Sequence, residues 1–227
     1  MKLRFIRLQA VTLSLIHSFT FSLFAQTDAS MQKQGLVNVQ TVDPGLLVDL
    51  KYSTTDNFVK QDVYGDLTRA YLQPMAARKL AAASQWLQTR RPDLRLLIYD
   101  AARPQAAQWK LWKALPQYAE RQRRTYVADP REGSIHSYGC AVDLTLSTDD
   151  GHALDMGTPY DFFGVKAYPK QEAQLLKAGQ LTKQQVDNRR LLRQAMQAGG
   201  FMPIEYEWWH FNALSRRQAK QQFKRIE

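Results

Sequence analysis

Hydrophobic residues recur along this chain at two spacings, one typical of strands and one typical of helices. Pro74 opens a segment in which Ala and Leu recur at helical spacing, and proline is favoured at the first helical position. That helix should end before Pro92, because the residue preceding a proline is excluded from the helical region. Short apolar runs of strand length lie at residues 46–52 (LLVDLKY), 94–99 (LRLLIY) and 141–146 (AVDLTL).

The second half of the chain continues this alternation of elements. A further helix is predicted over residues 106–115, and Thr182 with Gln185 forms a capping-box signature for a helix over residues 183–198. Residues 201–211 then return as an aromatic-rich strand. With 227 residues, 44% of them hydrophobic, the chain can bury one substantial core. We therefore expect a single mixed α/β domain.

The N-terminus has the composition of an export signal. Lys2, Arg4 and Arg7 precede an apolar run that ends near residue 25, as in secretory signal peptides. A structural helix would be expected to have a polar face and a cap, and neither is evident. The run is too short and interrupted for a transmembrane span. We predict a signal peptide at residues 1–25, a mature domain at residues 26–227, and an exported, periplasmic protein without stable membrane insertion.

The chain is basic, with a net charge of +10 that becomes +7 without residues 1–25. Its basic clusters at residues 121–124 and 215–225 lack the interleaved aromatic residues of a nucleic-acid surface. We interpret them as a solvated face and expect no nucleic-acid partner. Cys140 is the one cysteine, so it forms no internal disulfide, and its place in an apolar run favours a buried core residue.

A histidine and an aspartate stand in the segment EGSIHSYGCAVDLTLS at residues 132–147. His136 lies seven residues before Asp143, across a glycine-bearing turn that leads into a strand. Strand alternation directs Asp143 away from the apolar set of Val142 and Leu144. Imidazole nitrogen and carboxylate oxygen are ligands of catalytic zinc, which takes three protein ligands and keeps one open position. A hydrogen-bonded structural carboxylate would show the same pattern.

A second polar motif, EYEWWHF, lies at residues 205–211. His210 is a candidate third ligand, and Glu207 is a candidate general base for metal-assisted hydrolysis. Residues three apart fall on opposite faces of a regular strand, so a bulge or helical turn at residues 208–209 is needed to direct both at one metal. Glu205 is an alternative base, two residues further from His210.

These two motifs together resemble the zinc D-alanyl-D-alanine dipeptidases of the VanX type. Those enzymes are related to the zinc D-Ala-D-Ala carboxypeptidases and to the Hedgehog signalling domain. The resemblance implies an α+β single domain with a mainly antiparallel central sheet flanked by helices. It extends in the same order to DLKYSTTDNF at residues 49–58, YDAARP at 99–104, MGTPYDFF at 156–163 and NRRLLRQAM at 188–196.

The resemblance also implies a role for individual residues. Glu207 matches the general base, and Arg103 matches the arginine that stabilises the oxyanion, with Asp100 as its support. Asp161 matches the carboxylate that receives the free amino group of the substrate. Tyr52 and Ser134 match residues that line the dipeptide pocket. The ligands of one Zn²⁺ per subunit would be His136, Asp143 and His210.

The implied reaction is hydrolysis of the dipeptide D-alanyl-D-alanine in cell-wall precursor turnover. Two alternatives stay open, a D,D-carboxypeptidase that trims peptidoglycan stem peptides and a zinc-stabilised binding module without catalysis. Asp161 and Tyr52 count against the first, and the pairing of Glu207 with Arg103 counts against the second. Cobalt or nickel would also suit these ligands, and the sequence leaves the oligomeric state open.

Overall fold

Two sheets and a set of helices make up the part of the chain that the structure describes. This computed structural model describes residues 28–227, so the predicted signal peptide lies outside the described residues. The strands are β1 (Val37–Asn38), β2 (Leu47–Val48), β3 (Tyr71–Leu72), β4 (Leu94–Asp100), β5 (Ala141–Thr148), β6 (Met202–Pro203) and β7 (His210–Asn212). The α-helices are α1 (Asp28–Lys33), α2 (Val39–Val42), α3 (Pro74–Arg90), α4 (Gln105–Lys113), α5 (Glu120–Arg123), α6 (Glu172–Lys177), α7 (Lys183–Ala198) and α8 (Arg216–Gln222).

The central sheet has five strands in the order β2-β4-β5-β7-β6. β2 pairs with β4 in parallel, while the other neighbours in this sheet are antiparallel. The expectation of a mainly antiparallel sheet with flanking helices is confirmed, since α3 packs on β4 and α7 contacts both α3 and β5. β5 is buried on both faces: Leu144 is 0% exposed and Asp143 is 3% exposed. The aspartate thus faces away from the apolar set, as predicted, but into the protein.

The two long helices begin and end at the predicted residues. α3 has Pro74 at its first position and ends at Arg90, before Arg91 and Pro92. At the start of α7, the Thr182 hydroxyl oxygen accepts a hydrogen bond from the backbone N–H of Gln185. The side-chain oxygen of Gln185 accepts one from the backbone N–H of Thr182. Such a cap is worth about 1 kcal/mol. No helix within residues 28–227 is long and apolar enough to cross a bilayer.

Two predicted strands are shorter in the structure than the pattern indicates. In the first, over residues 46–52, pairing stops after Val48, and a 3₁₀ turn over Lys51–Ser53 buries Tyr52 instead. The second, over residues 201–211, is divided into β6 and β7 by an irregular loop. Trp208 and Trp209 are both buried within that loop. The chain bends at these two residues, which confirms the interruption of the strand predicted at residues 208–209.

The three central strands bring polar residues of distant sequence side by side. Asp100 at the end of β4 is opposite Asp143 of β5, and Asp143 is opposite His210 of β7. The register of β4 and β5 shifts between Ile98 and Asp100, and such bulges redirect side chains near active sites. Directly opposed residues have Cα atoms about 4.5–5.5 Å apart. The sheet therefore concentrates two acids and a histidine at one end.

Candidate active site

Three side chains from separate elements each direct one donor atom to a common point. Nε2 of His136, in the 3₁₀ turn before β5, lies 3.1 Å from Nδ1 of His210 and 3.3 Å from Oδ1 of Asp143. The distance from His210 Nδ1 to Asp143 Oδ1 is 2.9 Å. The turn ends at Gly139 with φ of +65°, where a Cβ would lie 2.8 Å from the Leu36 side chain. Glycine therefore allows the turn to place His136 above β5.

The second nitrogen of each histidine is occupied by an oxygen acceptor. His136 Nδ1 lies 2.7 Å from the carbonyl oxygen of Ala101, and His210 Nε2 lies 2.9 Å from Oδ1 of Asn212. A carbonyl or amide oxygen only accepts, so these nitrogens carry the protons. The two converging nitrogens keep their lone pairs for a cation. This arrangement is typical of histidines that bind metals.

The donor triangle has the dimensions of a metal site. Zinc binds nitrogen and carboxylate oxygen at ~2.0–2.2 Å in tetrahedral geometry, which corresponds to ~3.3 Å between adjacent ligand atoms. The observed separations are 2.9–3.3 Å. Two neutral imidazoles and one carboxylate are also the ligand types that a divalent transition metal prefers. The residues present therefore fit a metal ion held on three sides.

The same atoms hold a proton when no metal is bound. Burial favours the neutral acid, but the charges and hydrogen bonds of His136 and His210 hold the pKa of Asp143 well below its usual range. Burial also opposes the charge on His210, yet the hydrogen bond and charge of Asp143 raise its pKa to about 9. A proton on His210 thus stabilises the buried aspartate in place of a metal ion.

Glu207 stands beside this cluster, in the loop between β6 and β7. Its Oε2 lies 3.9 Å from His210 Nδ1, and its side chain is 27% exposed, towards the pocket. Burial, followed by the charge of Asp143, raises the pKa of Glu207 above its usual value. The alternative base, Glu205, is 68% exposed and pairs with Lys170. Of the two, Glu207 therefore has the position of a base.

A buried network fixes the guanidinium of Arg103. Its Nε and one terminal nitrogen donate to Oδ2 of Asp100, and its other terminal nitrogen donates to Gln108 Oε1 at 3.0 Å. Tyr64 donates to the other oxygen of Asp100. The side chain of Arg103 is 9% exposed and approaches Oδ2 of Asp143 to 3.9 Å. Asp100 supports Arg103 as predicted, and losing one partner of such a buried pair costs about 3–5 kcal/mol.

Asp161 is a further carboxylate in the lining of the same pocket. Tyr52 donates a 2.8 Å hydrogen bond to its Oδ2. Burial, with the charge of Asp143, raises the pKa of Asp161 well above its usual value. Its φ of 57° is unusual for a residue other than glycine and is typical of functional turns. Such a carboxylate is stabilised by the arrival of a cation.

All eight predicted site residues line one pocket of about 330 Å³, near the lower end of the range for small-molecule sites. The structure therefore brings together residues that are more than 150 positions apart in the chain. They are Tyr52, Arg103, Ser134, His136, Asp143, Asp161, Glu207 and His210.

Sequence reasoning missed the side chains that orient these groups. Tyr160 donates to Oδ2 of Asp143 at 3.0 Å. Three more such contacts join Tyr64 to Asp100, Gln108 to Arg103 and Asn212 to His210. None stands in a recognisable motif with its partner. The prediction that Cys140 is a buried core residue is confirmed, and burial raises the pKa of its thiol to about 12. His152 lies on the surface, with its side chain 82% exposed.

Comparison with known proteins identifies the family. The family model described as "D-ala-D-ala dipeptidase" matches residues 32–226. The chain belongs to this peptidase family. The D-alanyl-D-alanine dipeptidase of Escherichia coli (strain K12) is 38% identical over 78% of this chain and 83% of its own length. The D-alanyl-D-alanine dipeptidase of Enterococcus faecium is 30% identical over 78% of this chain and 90% of its own length.

A solved LD-carboxypeptidase structure, described as revealing the molecular basis of peptidoglycan recognition, is more distant. It aligns with a TM-score of 0.41 and 18% identity, over 66% of this chain and 63% of that chain. The family assignment depends on the sequence relatives. It makes this protein a metallopeptidase, in agreement with the cluster of His136, Asp143 and His210.

We predict that this metallopeptidase releases a proton when it binds its metal. At pH 7 the metal-free site carries a proton on His210, because that pKa of about 9 lies above the solution pH. The metal binds neutral imidazole, so about one proton should leave. Affinity should rise with pH and level off above about pH 9. Calorimetric titration in two buffers of different ionisation enthalpy measures the proton count, and equal heats in both buffers would contradict the prediction.

Proposed function

We propose that this peptidase is a zinc-dependent dipeptidase that hydrolyses D-alanyl-D-alanine to two D-alanines. The observation that carries the proposal is the shared pocket of about 330 Å³. A metal-ligand triangle, a carboxylate base, a fixed guanidinium and a carboxylate for an amino group all line it. Relatives from two bacteria bear the name D-alanyl-D-alanine dipeptidase.

The zinc ion would be held by His136, Asp143 and His210, one ion per subunit. When bound, zinc polarises the scissile carbonyl and lowers the pKa of water at its open position. The chain supplies the remaining functions of proton transfer, charge stabilisation and substrate orientation. Each can be assigned to a side chain of the pocket.

Glu207 is the group that moves the proton. Three acids within residues 28–227 line the pocket. Asp143 and Asp161 each accept a hydrogen bond from a tyrosine. The nearest charged partner that Glu207 has among the described residues is His210, at 3.9 Å. The raised pKa of Glu207 brings it nearer to neutral pH, which suits a group that both accepts and returns a proton. Glu207 takes the proton of the attacking water and gives it to the amine of the departing D-alanine.

Arg103 stabilises the negative charge that develops on the carbonyl oxygen. Asp100 and Gln108 hold its guanidinium in place before substrate arrives, so little reorganisation is needed at the transition state. A preorganised donor of this kind contributes about 10²–10³ in rate. Because arginine stays charged at all relevant pH values, this contribution is independent of pH.

Asp161 selects a substrate with a free amino group. Burial and the charge of Asp143 raise the pKa of Asp161, so its ionised form is disfavoured in the empty pocket. A positively charged ammonium group bound beside it stabilises that ionised form. Tyr52 keeps that carboxylate oriented through its 2.8 Å hydrogen bond. Ser134 lines the same pocket and offers a hydroxyl to the substrate. An acylated peptide lacks the charge that Asp161 receives, so the pocket favours the free dipeptide.

The export signal suggests the physiological context. Residues 1–25 have the composition of a secretory signal, so we place the enzyme in the periplasm. There it would return D-alanine from dipeptide released during cell-wall turnover.

The substrate is tested with purified protein and two peptides. We expect D-alanine release from D-Ala-D-Ala, and release slower by at least tenfold from an N-acylated D-Ala-D-Ala peptide of equal concentration, because one lost buried ion pair is worth 1.4 kcal/mol or more. Chromatographic quantification of D-alanine provides the measurement. Preference for the acylated peptide would favour the D,D-carboxypeptidase, and no release from either peptide would reject the proposal.

We predict that Glu207→Gln lowers kcat by about 100-fold or more, because the amide cannot accept the proton. Metal content should stay unchanged, since the ligands are other residues. Glu205→Gln is the matched control, because it removes a carboxylate from the same loop at an exposed position. Steady-state kinetics with metal analysis of both variants gives the result. Near-normal kcat in Glu207→Gln would show that the base is another group.

A further inference from the structure

The two oxygens of the Asp143 carboxylate have different surroundings. Oδ1 lies 3.3 Å from His136 Nε2 and 2.9 Å from His210 Nδ1, and so belongs to the donor triangle. Oδ2 accepts a hydrogen bond of 3.0 Å from the Tyr160 hydroxyl. Arg103 approaches Oδ2 only to 3.9 Å, which is beyond hydrogen-bond distance, while three of its five N–H groups bond Asp100 and Gln108. Tyr160 is therefore the hydrogen-bond donor to this second oxygen within residues 28–227.

This asymmetry matters because a carboxylate can bind a metal through one oxygen or through both. Binding through both would occupy part of the position that a catalytic metal must leave open for water and substrate. A hydrogen bond to one oxygen lowers its capacity as a ligand and fixes the orientation of the other. Donors that hold a metal ligand in this way tune both affinity and activity.

Packing determines where the Tyr160 hydroxyl points. The ring makes edge or tilted contacts with three neighbours, at centroid distances of 6.1 Å to Tyr52, 5.3 Å to Tyr99 and 5.5 Å to Trp209. The preceding loop is anchored by Arg189, which is 0% exposed and donates to the carbonyl of Met156 at 2.6 Å. The hydroxyl thus reaches Asp143 from a ring held on several sides.

The next residue along the chain, Asp161, serves the other part of the site. Its positive φ of 57° turns the backbone directly after Tyr160. As a result, Tyr160 contacts the metal ligand Asp143 while Asp161 contacts Tyr52 in the amino-group subsite. One short segment therefore supports both the metal site and the subsite for the substrate ammonium.

We propose that Tyr160 is a positioning residue that keeps Asp143 a one-oxygen ligand and so preserves the open coordination position. The inference rests on the proposed metal site. It adds a role for a hydroxyl that no motif predicted.

Tyr160→Phe tests the role, because it removes the hydroxyl and keeps the ring. Tyr99→Phe is the matched control, since its ring packs on Tyr160 but its hydroxyl forms no hydrogen bond within the described residues. Zinc affinity is measured by competition with a chromophoric chelator. We expect Tyr160→Phe to bind zinc about 10-fold more weakly, at the lower end of the effect of such donors, and Tyr99→Phe to match the unaltered protein.

A second readout reports the coordination number directly. The visible absorption of bound Co²⁺ weakens as coordination rises above four, so Co²⁺-loaded Tyr160→Phe should absorb less strongly per metal than the other two proteins. Thermal unfolding of the metal-free forms checks that the substitutions leave the fold intact. A general loss of stability would leave the cobalt band intensity per bound metal unchanged. If the unfolding temperature of a variant shifts, the cobalt spectrum is therefore the deciding measurement.

The outcomes separate this inference from the proposed function. Equal cobalt spectra in all three proteins would overturn the role of Tyr160, whatever the activity and the zinc affinity. A zinc-loaded protein that leaves D-Ala-D-Ala intact would reject the proposed substrate. In that case, a change of the cobalt spectrum in Tyr160→Phe would still support the positioning role.

Discussion

The burial of the Asp143 carboxylate is the constraint on which the rest of the site depends. An isolated charge in the interior of a sheet is strongly unfavourable, and Asp143 is 3% exposed. Its neighbours offset that cost: His136 and His210 at one oxygen and Tyr160 at the other. In the metal-free protein a proton on His210 provides the balancing charge. A metal ion bound at these residues would replace that proton.

The site divides its groups between rigid and irregular elements. Asp143 and His210 stand on paired central strands, so the distance between these two ligands is set by the hydrogen-bonded register. Asp161 and Glu207 stand in loops, where the backbone adopts a positive φ or a bend. Sites on strands hold their geometry more closely than sites on loops. Two of the three candidate metal ligands thus stand on strands, and the third, His136, stands in the 3₁₀ turn before β5.

The sequence predicted the fold best where local signals decide the structure. Pro74 and the Thr182 cap determine the ends of helices through their own backbone groups, and both were found. Residues 201–211 were predicted as a strand with a bulge or helical turn at residues 208–209, and the structure has an irregular loop at those residues, although the loop begins earlier, after β6. The candidate metal ligands were predicted from two motifs and a family resemblance. Their supporting groups depend on tertiary contacts, since Tyr64 is 36 residues from Asp100 and leaves no local pattern.

The central claim is that His136, Asp143 and His210 form one metal site, and diffraction can test it directly. Crystals of the zinc-loaded protein would be measured on both sides of the zinc absorption edge. The account predicts one strong anomalous peak, ~2.0–2.2 Å from His136 Nε2, Asp143 Oδ1 and His210 Nδ1, with Asp143 Oδ2 further away. A peak at other residues, or none in a protein saturated with zinc, would contradict it.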